Sequence, residues 1–408
     1  MGVTSAVKIA ILTQYYPPEI GAPQARLSNL AKQFVKRGHK VYVLTAMPNY
    51  PRGTVYPDYG GFYRQEDVGG VTVYRSWIYP TKSVGLVPRL TSYFSFVFSS
   101  LILGVAMLPQ VDFLITESPP LFLGISGFLL SRLKRARWIF NVSDLWPASV
   151  VGLGIVSRGL GLKISQILEA FCYRKSWMVT GQSREILEDI KMRFPAVSTY
   201  HLSNGVDIQM FRPQCYSPAL RRELGNGKEC IAIYAGLHGI AQGLDQVLDA
   251  ALQLRDIDKL LIILIGDGPE KERLIAHSDA LRLENVRFMD PYPHSAVPSL
   301  LASTDIALVT LRNRLPGAVP SKIYEAMGSA IPIVLVAEGE AADIVSEAQA
   351  GTVVSPGNVE SLANAIRYLA LTAEERDRIG RNGRDAAVKM FNRQSIAAAF
   401  IDSLEESS

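Results

Sequence analysis

Two doubly wound α/β halves are the fold predicted for this 408-residue chain. The first half alternates short apolar runs with helical patterns, as parallel sheets with crossover helices do. A similar rhythm restarts after residue 200, and the length suffices for two domains with a sizeable core each. In order, the first half reads "KIAILTQ", a helix over Ala25 to Arg37, "KVYVLTA", "VTVYRS", "DFLIT" and "RWIFNV". The second reads "CIAIYAG", a helix from Leu244, "LLIILIGDG", "VRFMD", "DIALVTL" and "IPIVLV". In such sheets ligands sit beyond the carboxyl ends of the strands. The loops after "ILTQ", "FNV", "IYAG", "LIGDG" and "RFMD" are therefore expected to face one crevice.

Composition is that of a soluble globular protein, with 48% hydrophobic and 20% charged residues and no repeat period. The net charge of +4 hides an asymmetry. Residues 1–200 hold 22 Lys or Arg against 11 Asp or Glu, a balance of +11, whereas the remainder holds 20 against 27, a balance of −7. A basic half beside an acidic half suggests an oriented encounter with an anionic partner. Membrane headgroups fit. Nucleic acid does not, since no base-reading helix, zinc-finger pattern or aromatic RNA-binding signature is visible. Cys172, Cys215 and Cys230 are odd in number without Cys-x-x-Cys spacing, which argues against a disulfide scaffold or zinc site. The opening "MGVTSAV" runs straight into "KIAILTQ", so it reads as the approach to a first strand and not as a signal peptide; the protein is expected in the cytoplasm.

The loops carry the chemistry. "AGLHGIAQG" supplies Gly236, Gly239 and Gly243, residues that permit positive φ and close approach of backbone to a ligand. "GDGPE" from Gly266 adds a second permissive turn, and "DPYP", with Pro291, offers a carbonyl and an N–H to a base edge. Each could equally be an ordinary tight turn. In "LPGAVPSKIYEAMGSAIPIVLV", residues 315–336, Pro320 fits a helix start and Ser321 an N-cap. A helix N-terminus with Lys322 in its first turn suits a phosphate, and Glu325 about one turn on suits vicinal hydroxyls such as those of ribose. The alternative is a solvated helix with two surface charges.

Taken together, Lys322 and Glu325, the "GLHGIAQGLD" loop and the "GDGP" turn make the second half resemble retaining glycosyltransferases of family 4. These have two facing Rossmann-like domains with a deep interdomain cleft, the GT-B architecture. "ILTQYYPPEIGAPQARLSNLAKQFVKRGHKVYVLT" resembles the acceptor domain of the same family. "NVSDLWP" is similar to its O-antigen and capsule subgroup, including N-acetyl-L-fucosamine transferases. The resemblance covers essentially the whole chain. It implies an acceptor-binding, membrane-facing domain over 1–200, a nucleotide-sugar domain over 201–391, and a final helix over about 392–408 packed back on the first.

By position, Glu325 matches the second glutamate of the family's E-x7-E motif and would bind the donor ribose. The first glutamate is replaced by Gly317, so the donor-sugar contact would fall to backbone N–H groups of Gly317, Ala318 and Val319. The usual Arg and Lys of the glycine-rich donor loop are missing, and His238 and Gln242 stand near instead. Lys322 then becomes the cation for the diphosphate. Gly21 matches a glycine loop approaching that diphosphate from the first domain. Asp144 would orient or deprotonate the acceptor hydroxyl, or support an oxocarbenium-like transition state; the alternative is a turn or N-cap aspartate. Glu117 in "TESPPLF" is expected along the same crevice. No metal is expected, because the only Asp-x-Asp is "DID" at 256–258, far from these loops in sequence order, and the five histidines lack ligand spacing.

Between Arg89 and Asp112 lie 22 uncharged residues, "LTSYFSFVFSSLILGVAMLPQV". Length admits a membrane span, but six hydroxyl residues and the following "LPQVDFLIT" favour a crossover helix, buried or touching lipid with its outer face. Tyr93, Phe94, Phe96 and Phe98 suit lipid contact, and Arg132, Lys134, Arg135 and Arg137 would add attraction to anionic lipid.

The expected activity is retaining transfer of a sugar, such as an N-acetylated deoxyhexose, from a UDP-sugar donor to a polyprenyl-diphosphate-linked acceptor. The enzyme would sit on the cytoplasmic face of the inner membrane and act in O-antigen or other surface polysaccharide assembly. A UDP-sugar 2-epimerase and an inactive sugar-nucleotide-binding partner are the alternatives.

Overall fold

The computed structural model describes residues 6–19, 21–50, 52–83, 85–147, 159–225, 227 and 230–407. Two compact units result, one of residues 1–204 with 393–408 and one of residues 205–392.

The first unit contains, in chain order, β1 (Lys8–Leu12), α1 (Ala22–Lys36), β2 (Lys40–Ala46), β3 (Tyr63–Val68), β4 (Val71–Ser76), α2 (Leu86–Met107), β5 (Phe113–Ser118) and α3 (Leu123–Leu133). It continues with β6 (Arg137–Val142), α4 (Leu160–Lys175), β7 (Met178–Gly181), α5 (Arg184–Arg193) and β8 (Thr199–His201). The sheet order is β3-β4-β2-β1-β5-β6-β7-β8, parallel apart from β3, which pairs antiparallel with β4. Helix α1 begins three residues earlier than its apolar pattern suggests, because Pro23 is well placed in a first turn. The strand β3, "YRQEDV", has no apolar alternation; it is a mostly exposed edge, where a strand needs no buried face.

The second unit has α6 (Pro218–Gly225), β9 (Cys230–Ala235), α7 (Asp245–Leu252), β10 (Leu260–Ile265), α8 (Lys271–Ala280), β11 (Val286–Met289), α9 (Val297–Ala302) and β12 (Ile306–Thr310). It ends with α10 (Ser321–Gly328), β13 (Ile333–Val336), α11 (Glu340–Glu347), β14 (Gly351–Val354), α12 (Val359–Leu371) and α13 (Ala373–Lys389). Its all-parallel order, β11-β10-β9-β12-β13-β14, is the doubly wound arrangement, with winding reversed between β9 and β12. The strand "LLIILI" is buried at every position because helices cover both faces of the sheet.

Helix α14 (Arg393–Glu405) returns to the first unit. Phe400, Ile401 and Leu404 enter the core that α1 shares with β1 and β2. Each such side chain contributes roughly 1.5–3 kcal/mol by burial. His39 Nε2 lies 2.8 Å from Glu405, which fixes the helix's far end.

Helix α2 is long and apolar enough to cross a membrane by length and hydropathy, yet one face belongs to the core of the first unit. Phe96 and Val97 are buried, and Phe94 packs on Phe122 with ring centroids 4.8 Å apart. Of the four expected lipid-facing aromatics, Phe98 alone is exposed, at 64%. A 3.6-residue period cannot place positions 93, 94, 96 and 98 on one side. Two of the four basic residues also have intramolecular partners: Lys134 donates to the Val105 carbonyl, and Arg137 lies over the rings of Phe113 and Trp177.

Candidate active site

The carboxyl ends of β9 and β12 are where an open α/β sheet of this order accepts a ligand. Gly236 follows β9 with φ 154°, and its N–H donates to the Ile265 carbonyl at 2.8 Å. A Cβ at Gly236 would stand 2.4 Å from Cε and 2.6 Å from Nζ of Lys322, so glycine is what lets the lysine cross this turn. The Lys322 ammonium lies 5.3 Å from the centre of the Tyr234 ring, within cation–π reach. Burial lowers its pKa, opposed by the nearby Glu325 carboxylate. Among the described residues no carboxylate is within ion-pair distance of it. A desolvated cation with no carboxylate in direct contact favours an incoming anion.

The glycine turns serve each other as much as a ligand. A Cβ at Gly266, φ 150°, would lie 1.8 Å from the Gly236 carbonyl oxygen, and one at Gly268 would lie 2.4 Å from that of His238. Gly243 has φ 56°, as expected, whereas Gly239 has φ −113° and needs no glycine conformation; an added Cβ there would meet the Gln242 side chain. Gln242 accepts from Thr310 through its backbone carbonyl at 2.8 Å, and its side-chain oxygen is buried without a partner.

His238 does not replace the missing loop cations. Its ring is fully buried, with centroids 6.0 Å from that of Tyr234 and 6.1 Å from that of Phe288, and both ring nitrogens lack partners. Burial, with Lys271 and Lys322 nearby, pushes its pKa down, which keeps it neutral.

Helix α10 begins at Ser321, one residue earlier than an N-cap at Ser321 would give. Pro320 holds the cap position and Ser321 is the first helical residue, with its hydroxyl 3.3 Å from Glu325 instead of on the backbone. Proline and serine thus exchange roles, because Pro320 has ψ 127°, outside the helical region. Gly317 has φ 75°, a conformation that the glutamate of the family motif would adopt only under strain. The Ala318 N–H already donates to the Leu315 carbonyl at 3.0 Å, which removes it from the expected donor-sugar set, and the Val319 side chain is in the core. Pro291 is exposed and, as a proline, can offer only its carbonyl; its neighbour Asp290 pairs with Lys271 at 2.7 Å.

In the first unit the winding reverses between β1 and β5, and Glu117 sits at that point. It is not a free carboxylate. Arg26 donates to it at 2.6 Å, Asn141 at 2.7 Å and Ser143 at 2.5 Å, and the Arg26–Glu117 pair is buried. Thr180 donates in turn to Asn141 at 2.6 Å. Both oxygens are occupied inside the unit, so Glu117 positions the ends of β5, β6 and β7 and does not serve as an exposed base. Sequence reading missed Arg26 and Ser143 because four separate elements bring the network together.

Asp144, just beyond β6, is partly buried, and among the described residues nothing hydrogen-bonds its carboxylate. Burial pushes its pKa up to about 6, in the range useful to a general acid or base. Gly21 caps α1 in an extended conformation, φ 167°, and an added Cβ would meet only the end of the Gln24 side chain. Of the "DID" triplet, Asp256 is engaged by Arg367. Among the described residues no three His, Cys, Asp or Glu side chains group as metal ligands.

Two family models match the chain: "Glycosyl transferase 4-like domain" over residues 21–205 and "Glycosyl transferases group 1" over residues 217–386. The chain is a group 1 glycosyltransferase. This glycosyltransferase is 28% identical over 412 residues to the putative colanic acid biosynthesis glycosyl transferase WcaI of Escherichia coli K12, with 98% of the chain and 100% of WcaI covered. Its fold matches sucrose-phosphate synthase from Thermosynechococcus elongatus with a TM-score of 0.78, 18% identity and 98% and 100% of the two chains covered. It also matches Anabaena Alr3699/HepE, solved with UDP and glucose, with a TM-score of 0.73, 20% identity and the same coverage. The glycosyltransferase therefore has the GT-B fold, with two Rossmann-like units. Lys322, Glu325 and the Gly236 turn occupy the ligand edge of its group 1 unit, and Asp144 the corresponding edge of the other.

Proposed function

We propose that this glycosyltransferase moves a sugar from a UDP-sugar, with retention, to a polyprenyl-diphosphate-linked saccharide in surface polysaccharide assembly. The observation that carries the donor half is Lys322, laid across the Gly236 turn beside Tyr234 with no carboxylate in direct contact among the described residues. Diphosphate would make that contact, with Glu325 available to the ribose hydroxyls. UDP in the HepE structure supports uridine, and the colanic acid assignment of WcaI supports a polysaccharide product. An N-acetylated deoxyhexose such as N-acetyl-L-fucosamine is the donor sugar to try first. In this reading Asp144 attends the acceptor hydroxyl, and no metal takes part.

The acceptor is proposed to be presented at an anionic membrane surface, on the cytoplasmic side. Support comes from apolar residues left exposed on neighbouring helices of the first unit: Phe98 and Ile102 on α2, Leu133 on α3, and Ile164 and Ile167 on α4. Exposed Arg132 and Arg135 lie beside Leu133 in sequence and would each add about 1 kcal/mol of attraction near an anionic surface. Flotation with liposomes should increase with anionic lipid content and fall for Arg132→Glu; binding indifferent to lipid charge would refute this part.

The deciding assay is UDP release from a panel of UDP-sugars, with and without a polyprenyl-diphosphate-linked N-acetylhexosamine. Acceptor-dependent release with a heavier lipid product of retained configuration is expected. Conversion of the sugar nucleotide without UDP release would overturn the reading in favour of an epimerase.

A further inference from the structure

A cavity of about 310 Å3 opens in the first unit, lined by Met47, Val55, Tyr59, Phe62 and Trp77 with the Gly60–Gly61 pair. Met47 directly follows β2 and Trp77 directly follows β4, so the cavity stands at the carboxyl edge of the sheet, where ligands bind. It is separate from Asp144 and Glu117, which lie just beyond β6 and near the end of β5. The walls are fixed by backbone bonds: Met47 N–H donates to the Ser76 carbonyl at 2.9 Å and Trp77 N–H to the Phe62 carbonyl at 3.0 Å. Two guanidinium groups lie near the Tyr59 ring, with Arg64 4.8 Å and Arg75 5.1 Å from its centre. Arg75 is itself buried and paired with Glu66 at 2.6 Å.

Phe62 is 84% exposed and Trp77 42% exposed, an unusual outlay of aromatic surface beside a cavity. Gly60 and Gly61 leave their surroundings open, with nothing within 4 Å of an added Cβ. Among the described residues their backbone N–H and C=O groups have no hydrogen-bond partner. Exposed aromatic faces next to solvent-open backbone donors and acceptors suit a ligand with apolar C–H faces and a hydroxylated rim. That is the chemistry of a pyranose. The volume is at the lower end of small-molecule pockets, about 300–1,000 Å3, so it fits one ring and not an oligosaccharide. An isoprenoid would leave the backbone groups of Gly60 and Gly61 unsatisfied, which counts against it.

We infer that this cavity is a sugar subsite, in which a pyranose of the acceptor saccharide stacks on Trp77 and Phe62 and hydrogen-bonds the Gly60–Gly61 backbone. The inference rests on the acceptor being a saccharide, as proposed above, but binding can be read without any transfer.

Saturation-transfer NMR of the full chain with methyl N-acetylhexosaminides, and separately with UDP, tests it. Transfer to the C–H protons of at least one glycoside is expected for the natural protein and for Trp77→Phe. It should disappear in the Trp77→Ala and Phe62→Ala double variant, with the circular dichroism spectrum and the UDP signal unchanged. Where transfer activity is measurable, the KM for the acceptor should rise about tenfold in Trp77→Ala while the KM for the donor stays constant. Glycoside signals insensitive to the double substitution, or signals from farnesyl diphosphate and from no glycoside, would overturn the subsite. Loss of the UDP signal in the natural protein would instead sink the donor reading and leave the subsite result standing.

Discussion

Glu117 and Lys322 are both ionic groups placed near the carboxyl edge of a doubly wound sheet, one in each unit, and they are treated in opposite ways. Around Glu117 every neighbour donates to it: Arg26, Asn141 and Ser143 saturate both oxygens. Around Lys322 there are a glycine turn and an aromatic ring, and the nearby Glu325 carboxylate stays beyond ion-pair distance. A saturated buried ion holds strands together, whereas an unsaturated one keeps its field for something that arrives. Both stand near a carboxyl edge, one in a strand and one in a helix's first turn, and the partner set separates scaffold from site.

The sharpest way to break that comparison is to truncate each group. Glu117→Ala leaves the buried Arg26 unpaired and should cost about 3–5 kcal/mol of stability, read by urea unfolding of the purified protein. A loss below about 1 kcal/mol would mean that the network is not structural. Lys322→Met should do the reverse. Removing an unpaired, partly buried cation should leave the unfolding midpoint unchanged or raised, while kcat/KM in the UDP-release assay falls about 10²–10³-fold. Equal destabilisation by both variants would erase the distinction.

Smaller effects sharpen it further. Gly266→Ala forces a Cβ toward the Gly236 carbonyl, 1.8 Å away, at a φ of 150°. It should cost about 1–3 kcal/mol of stability and weaken UDP binding, measured by calorimetry, because the turn under Lys322 must shift. The Asp144 carboxyl, raised to about 6 by burial, is protonated below that pH. Acting as a base, it should give a kcat/KM that drops about tenfold per pH unit below 6, and Asp144→Asn should lose most activity and this acidic limb together. The stability sign is opposite: the folded state binds that proton more tightly than the unfolded chain does. Ionisation between the ordinary carboxylate range and about pH 6 therefore lowers stability, and Asp144→Asn should unfold later than the natural protein at pH 7.

Much of the fold was legible. Strands such as "KVYVLTA" and "LLIILI" declare themselves by apolar runs bounded by breakers, and their spacing requires crossover helices. The strand β3 was not legible, because an exposed edge imposes no pattern. At the site, Lys322 and Glu325 could be named from a short stretch and a family likeness. The burial of His238, the exchange of roles between Pro320 and Ser321, and the engagement of the Ala318 N–H could not, since each depends on which backbone group lies opposite.

By itself the sequence determined two doubly wound halves and the loops that carry polar residues, because hydrophobic period and glycine placement are local properties of the chain. Tertiary structure alone decided which polar groups are spent and which are kept. Arg26 and Glu117 are 91 positions apart and meet, whereas Lys322 and Glu325 are three apart and form no ion pair. Satisfaction of a buried charge depends on distance and desolvation in space, and neither is written in the order of residues.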